Sequence, residues 1–447
     1  ISLCLLLIVR DEEESLQKNL PLWREVADCF VIGVDDRTTD CTAATIHDVL
    51  GDGKARFVFF FTFQDFAQAR NAVLRSTAHN FPDCSHVIIA DADWRPELES
   101  IDKSELDFVH LSFPFLVWDH SGHTSRLVGW LMRFDEDLRF KYRVHEVLDT
   151  TATTTSALPS KLVGWEVRVV ESGSNWNVNL HQHSRSSERF LFDLQLLEMD
   201  YLDDPTDLHT LYYLGITTFA YLESLMGKGT HENTPELQAL VAGGMSYLGQ
   251  AIDLHGDIKN SELVWGSKRW LAYGYHFFIG DKEKAEAAYE ACLDYDPARV
   301  DCVVFLSRLH LANGDLDAAW DKAKMALLHR PAAGGVLTYF YTFECFVPAQ
   351  AATVISKRIS GLGDIGSDSL EGLLTLGSYL VRHHRDVCKH GVMVDSPEDI
   401  ERLGAWFDEA IERQGIDVEE IRRATLNDGD SLMALLLRTW GTGIKAS

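Results

Sequence analysis

Four short apolar runs, Ile1–Val9, Cys29–Val34, Arg56–Phe61 and His86–Ala90, open the chain, and helical stretches fill the gaps between them. Ser15 to about Val26 carries the first helical pattern, and a third helix ends near Ala78. Buried strands alternating with helices at this spacing are βαβ units, so the front half is expected to form a parallel sheet. Ligands of such sheets gather at the carboxyl ends of the strands. Polar and acidic residues stand at those ends: Arg10 to Glu14, then Asp35 to Asp40, and Asp91-Ala92-Asp93 after the fourth strand. If the fourth strand stays extended past the sheet, Asp91 and Asp93 point the same way. Two hard oxygen donors on one face suit Mg²⁺ or Mn²⁺ carrying a diphosphate, because phosphates and water complete the shell. A solvated loop is the plainer reading of an isolated Asp-x-Asp.

The neighbouring residues add candidates, each with a structural alternative. Asp35 lies where a base or ribose would sit in the crevice. Asp40, with Thr38 and Thr39, caps the following helix or touches a ligand. Asp65 reads as a helix N-terminal residue, and Arg70 and Asn71 lie inside that helix. Arg70 holds a phosphate or the strand-end carboxylates, or is half of a buried ion pair.

Four linked segments then carry a resemblance: Arg10-Asp11-Glu12-Glu13-Glu14, Val34-Asp35-Asp36-Arg37-Thr38-Thr39-Asp40, Asp65-Phe66-Ala67-Gln68-Ala69-Arg70-Asn71, and Ile88-Ile89-Ala90-Asp91-Ala92-Asp93-Trp94. In this order they resemble a family 2 glycosyltransferase of the GT-A fold, over roughly residues 1–200. The family's usual forms are close to KNEE, VDTGSTD, DFSxARN and LDADE. Departures are Arg10, Asp11, Asp36-Arg37 and Trp94, and the turn glycine lost at Arg37 alters the loop that meets the sugar nucleotide.

The resemblance implies an α/β, Rossmann-like N-terminal domain that moves a sugar from a nucleotide-diphosphate donor, a hexosyltransferase type of reaction with inversion. It places Asp35 and Asp65 at the nucleoside, Arg70 with Asn71 and Asp91 along the donor, and Asp91 and Asp93 on Mn²⁺ or Mg²⁺. Leu106–Trp118 and Leu127–Phe134 read as strands around a hairpin loop holding His120, His123 and Arg126. The following Phe140–Leu148 is similar to the family's acceptor-side segment, which makes Glu146 the candidate base. Its alternative is an ion pair with Arg143 or Arg126. A hydroxyl-rich run, Thr150–Ser156, reads as a loop, and Trp165–Val170 as a strand. In the next strand, Val178–His183, either His181 or His183 completes the metal shell by the same resemblance. A helix from Ser187 to Tyr201 closes the domain.

The second half changes character. Gly280-Asp281 recurs as Gly314-Asp315, Ala285 as Ala319, Leu293 as Leu327 and Pro297 as Pro331, a spacing of 34 throughout. This is the period of the tetratricopeptide helix pair, so an all-α tetratricopeptide-like array is expected. Leu208–Leu225 and Pro235–Leu254 read as an earlier, degenerate unit. Beyond a linker at Gly361–Gly366, helices are expected at Leu370–His384, Pro397–Gln414, Val418–Arg423 and Asp428–Trp440. His383, His384 and His390 read as a solvated group. The expected domains are 1–202, 203–335 and 336–447. Stacked repeats bind a peptide or protein on their concave side, brace the enzyme, or form a dimer contact; a protein acceptor follows as an expectation.

Charge and cysteine usage narrow the partners. A formal charge of −27 disfavours nucleic acid and anionic membranes. The eight cysteines (4, 29, 41, 84, 292, 302, 345, 388) show no Cys-x-x-Cys pair, which points to reduced thiols and a cytoplasmic setting. The apolar start is too short for a membrane span and lacks a charged leader, so it reads as a strand. Two rivals stand beside the transferase. A nucleotidyltransferase needs a glycine-rich first loop, and residues 9–14 contain no glycine. A repeat interaction protein with a decayed transferase domain is the other.

Overall fold

The computed structural model describes residues 1–118, 125–149, 159–170, 187–226, 234–328, 347–360, 370–387 and 397–414. The chain forms two compact units that divide within one helix, between Thr217 and Thr218, beyond the boundary expected at 202.

The first unit is built on a sheet of order β3-β2-β1-β4-β8. Its strands are β1 (Leu3–Val9), β2 (Cys29–Asp35), β3 (Ala55–Phe61), β4 (His86–Ile89) and β8 (Leu131–Arg133). The first four are parallel and β8 runs antiparallel to β4. Helices α1 (Glu13–Val26), α2 (Thr42–Leu50) and α3 (Phe66–Asn80) make the crossovers. Both faces of the sheet are covered, which is why β1 is apolar at every position. Leu5, Leu7 and Val9 enter one core with Trp23, while Cys4 and Leu6 enter another with Val73 and Leu74. A second sheet has the order β5-β11-β6-β7, with β5 at Trp94–Pro96, β6 at Phe115–Trp118, β7 at Ser125–Val128 and β11 at Glu166–Val169. Strands β6 and β7 form the expected hairpin. A small ladder joins β9 (Arg139–Lys141) to β10 (Val147–Asp149).

Three expectations are corrected by the fold, the third of them in both units. Beyond β4 the chain is not extended: the Trp94 N–H bonds to the Asp91 carbonyl at 3.0 Å, closing a turn over Asp91–Trp94. The two-residue alternation therefore does not relate Asp91 to Asp93. The long strands expected at 106–118 and 127–134 are interrupted, leaving β6 in the first and β7 and β8 across the second, because apolar content alone does not mark where hydrogen bonding stops. Four cysteines are paired: Cys4 with Cys29, which the parallel register sets side by side, and Cys292 with Cys302. The expectation of eight reduced thiols, and the cytoplasmic setting drawn from it, loses that support.

Helices α4 (Ser187–Asp203) and α5 (Leu208–Met226) follow. The second unit continues with α6 (Pro235–His255), α7 (Glu262–Tyr273), α8 (Lys282–Tyr295), α9 (Asp301–Ala312), α10 (Leu316–Leu328), α11 (Val347–Ser360), α12 (Leu370–Val387) and α13 (Pro397–Arg413). It is a helical repeat array. Gly280 and Gly314 take φ of 74° and 79°, the left-handed conformation that glycine tolerates before a new helix. One residue on, Asp281 and Asp315 accept from the Lys284 and Ala318 N–H groups at 3.0 Å, capping α8 and α10. Ala285 and Ala319 are both fully buried. Helix α11 was not foreseen, and one core runs from Leu293 to Ile411, so packing continues past the boundary expected at 335. The helices expected at 418–423 and 428–440 lie outside the described residues. Among the described residues no helix is long and apolar enough to cross a membrane.

Candidate functional site

A cavity of about 750 Å³ opens at the carboxyl ends of β1, β2 and β4. Ile8, Val9, Arg10 and Glu12 line it from the first strand end, Asp35 and Arg37 from the second, and Asp91 from the fourth. Arg70 of α3, Phe61, Phe63 and Phe66, and Glu188, Arg189 and Phe192 of α4 complete the wall.

The rim loops after β1 and β2 are laced together. Asp11, at φ 52°, accepts from the Thr39 N–H and hydroxyl at 2.7 and 3.1 Å. Asp40 accepts from the N–H groups of Glu13 and Thr42 at 3.0 and 2.9 Å. Asp40 is thus a cap that serves the starts of two helices. The Asp91 turn is anchored from α1, where Asn19 and the Trp23 indole donate to the carbonyls of Ala92 and Trp94 at 3.0 and 2.8 Å.

Arg70 forms the floor. Its side chain is 5% exposed, its Nε donates to Glu146, and its Nη2 lies 3.4 Å from Asp91 Oδ1. The guanidinium lies 4.2 Å from the Trp130 ring centre. Burial opposes the charge, yet Glu146 and Asp91 overcome it and raise the guanidinium above its ordinary value. Nη1 is buried without a hydrogen-bond partner. Glu146 reaches this point from a tight bend whose Tyr142 and His145 have φ of 70° and 53°. Non-glycine residues hold such angles only when over-determined. Here the Tyr142 hydroxyl donates to Asp207 at 2.9 Å, and the Tyr142 and His145 rings stack on His209 and Tyr213 at 3.8 and 4.0 Å. Glu146 therefore pairs with Arg70, whereas Arg143 is held by Asp200 and Asp203.

Asp35 is buried, and burial works to raise its carboxyl; the paired bonds from Arg37 outweigh this and hold it below the usual range. Arg37 closes over it at 2.6 Å, so a ligand reaches Asp35 only by moving that side chain. Glu12 faces the same space. Burial pushes its carboxyl up against a bond from Ser15, and the charges of Asp91, Asp40 and Asp11 add to the rise.

Other expected site residues stand elsewhere. Asp65 caps α3 through the Gln68 N–H at 2.6 Å and lines a different hollow, of about 450 Å³, with Lys141, Arg143 and Asp200. Asn71 spends its amide on the Phe140 backbone, donating at 3.0 Å and accepting at 2.7 Å, and so braces β9. Asp93 is absent from the cavity lining, and its carbonyl accepts from the Val170 N–H at 2.8 Å. His181 and His183 lie outside the described residues, as do His120 and His123. The sequence reading missed Glu12, Arg37 as the partner of Asp35, Trp130, and the α4 pair Arg189 and Phe192. No periodicity marks these positions, which become neighbours only through the fold.

The carboxylates do not form a ready cage for a divalent ion. Among the described residues the one group of three ligand-bearing side chains found within 4.8 Å of each other is Cys4, Cys29 and Cys84. Asp91 is 43% exposed with Glu12 nearby, a donor set that suits an ion arriving on a diphosphate.

No family model matches the chain, and no curated protein matches it. Among solved structures the chain is similar to MamA, at 14% identity over 45% of this chain and 89% of that one, with a TM-score of 0.28. It is also similar to a thermophilic TPR protein in Thermus thermophilus, at 18% identity over 38% and 91%, TM-score 0.23. A tetratricopeptide repeat protein from Parabacteroides merdae is 12% identical over 56% and 93%, TM-score 0.25.

Proposed function

We propose that the first unit is a glycosyltransferase that binds a nucleoside-diphosphate sugar in the crevice and passes the sugar to an acceptor nucleophile. The observation that carries this reading is the placement of an accessible acid, Asp91, beside a buried guanidinium at the carboxyl ends of parallel strands. That is the place where open α/β sheets take phosphate-bearing ligands. Arg70 Nη1 supplies an unspent donor for a phosphate oxygen, and the phenylalanines of the wall suit a base or sugar face. Asp91, with Glu12, would hold Mn²⁺ or Mg²⁺, which neutralises the departing diphosphate. Asp35 serves the nucleoside once Arg37 has moved. Glu146 positions Arg70, and acting as base requires that ion pair to open when the acceptor binds. The repeat array is proposed to engage a protein or peptide, the acceptor itself or a partner.

Thermal unfolding with a panel of nucleoside-diphosphate sugars and Mn²⁺ tests the reading. A true donor at one hundred times its Kd stabilises by about 2.7 kcal/mol, and release of the nucleoside diphosphate should accompany it. A panel without any stabilising member favours the rival reading, in which the repeats bind partners and the crevice is silent.

A further inference from the structure

Three cysteines meet at the amino-terminal edge of the parallel sheet, at the opposite strand ends from the crevice. Cys4 is the second residue of β1, Cys29 the first of β2, and Cys84 precedes β4 by two residues. Their sulfurs lie within 4.8 Å of one another. They are 0%, 4% and 7% exposed, in a core shared with Leu6, Val31 and Leu74. The parallel register places Cys4 beside Cys29, and these two form a disulfide. Cys84 remains a thiol, with its sulfur 3.1 Å from the His86 carbonyl oxygen.

We propose that Cys4, Cys29 and Cys84 form a binding site for a thiophilic d¹⁰ cation, copper(I), and that the Cys4–Cys29 disulfide is the oxidised, metal-free form of that site. Sulfur donors select soft ions. A closed zinc site takes four ligands, whereas among the described residues no fourth acidic, imidazole or thiol side chain joins the three. Copper(I) is satisfied by two or three thiolates, and the apolar surroundings shield it from water. A dithiol reductant opens the site. It delivers two electrons and two protons to the S–S bond and itself becomes a disulfide. Copper(I) then displaces the protons of the thiols that bind it, without changing its own oxidation state. Pro82 and Asp83, which precede Cys84 in the chain, are exposed.

The test uses the full chain, reduced by a dithiol under anaerobic conditions and titrated with copper(I) held by a coloured chelator, with native mass spectrometry to count bound ions. Wild type should withdraw one ion that Cys84→Ser and Cys84→Ala hold more weakly, by at least the roughly 10- to 100-fold that an outer-shell partner is worth. Cys41→Ser and Cys292→Ser, outside the cluster, should keep that ion. Unchanged melting of the metal-free Cys84 variants shows that the loss is not unfolding; where Ser fails to fold, Ala decides. Equal copper retention by both Cys84 variants overturns the proposal. So does a Cys4–Cys29 bond that resists the reductant while the chain stays folded.

Discussion

Replacing Glu146 by alanine leaves the Arg70 guanidinium in the interior with a single carboxylate for company. In the intact pair both side chains are nearly inaccessible, at 5% and 8% exposure. Removing one member of a buried pair costs about 3–5 kcal/mol, because the remaining charge is uncompensated. Asp91 remains, but it is 3.4 Å away and half in water, so it recovers about 1 kcal/mol. The Trp130 ring is already engaged and offers nothing new. The net expectation is a loss of about 2–4 kcal/mol, read by urea unfolding with tryptophan fluorescence. The double variant Arg70→Met/Glu146→Leu removes both charges and should lie near wild type. A Glu146→Ala cost below about 1 kcal/mol, or a double variant as unstable as the single, would show that the crevice floor is not a desolvated ion pair.

Two further outcomes are expected. Gly280→Ala and Gly314→Ala should each cost about 1–2 kcal/mol, since both backbones are left-handed; Gly243→Ala, inside α6 with open space around the added carbon, should gain about 0.5–1 kcal/mol, and calorimetry on the three variants checks the opposite signs. Glu12→Gln should raise the melting temperature at neutral pH. Because burial and the neighbouring acids raise the Glu12 carboxyl in the folded state, the native chain holds that proton more tightly than the unfolded chain. Stability therefore falls as pH rises from the unfolded carboxylate value through the folded one. The gain should vanish near about pH 3, where both states are protonated, and melting curves at the two pH values decide it.

Much of the scaffold was legible because its signals are local. The buried strands β1, β2 and β4 are uninterrupted apolar runs, and the 34-residue recurrence reappears in paired glycine turns, capping aspartates and buried alanines. Asp65 and Asp40 were readable as caps from their places before helices. What escaped depends on distant chain segments. The turn at Asp91–Trp94 is held by Asn19 and Trp23, over seventy positions away. The pairing of Cys4 with Cys29 comes from strand register across a crossover, which no cysteine spacing encodes. The strain at Tyr142 and His145 depends on α5 for its support, and Glu12 becomes unusual only when Asp91 is folded against it.

The proposed donor site requires Asp91 to carry a cation-bound diphosphate in the crevice. Its most direct test is calorimetric titration of wild type and Asp91→Asn with a nucleoside-diphosphate sugar, with and without Mn²⁺. Wild type should bind the donor more tightly with the metal, and the Asn variant should fold normally but show no metal-dependent component. Equal, metal-responsive binding by both proteins would contradict it, as would a wild type that binds no member of the donor panel.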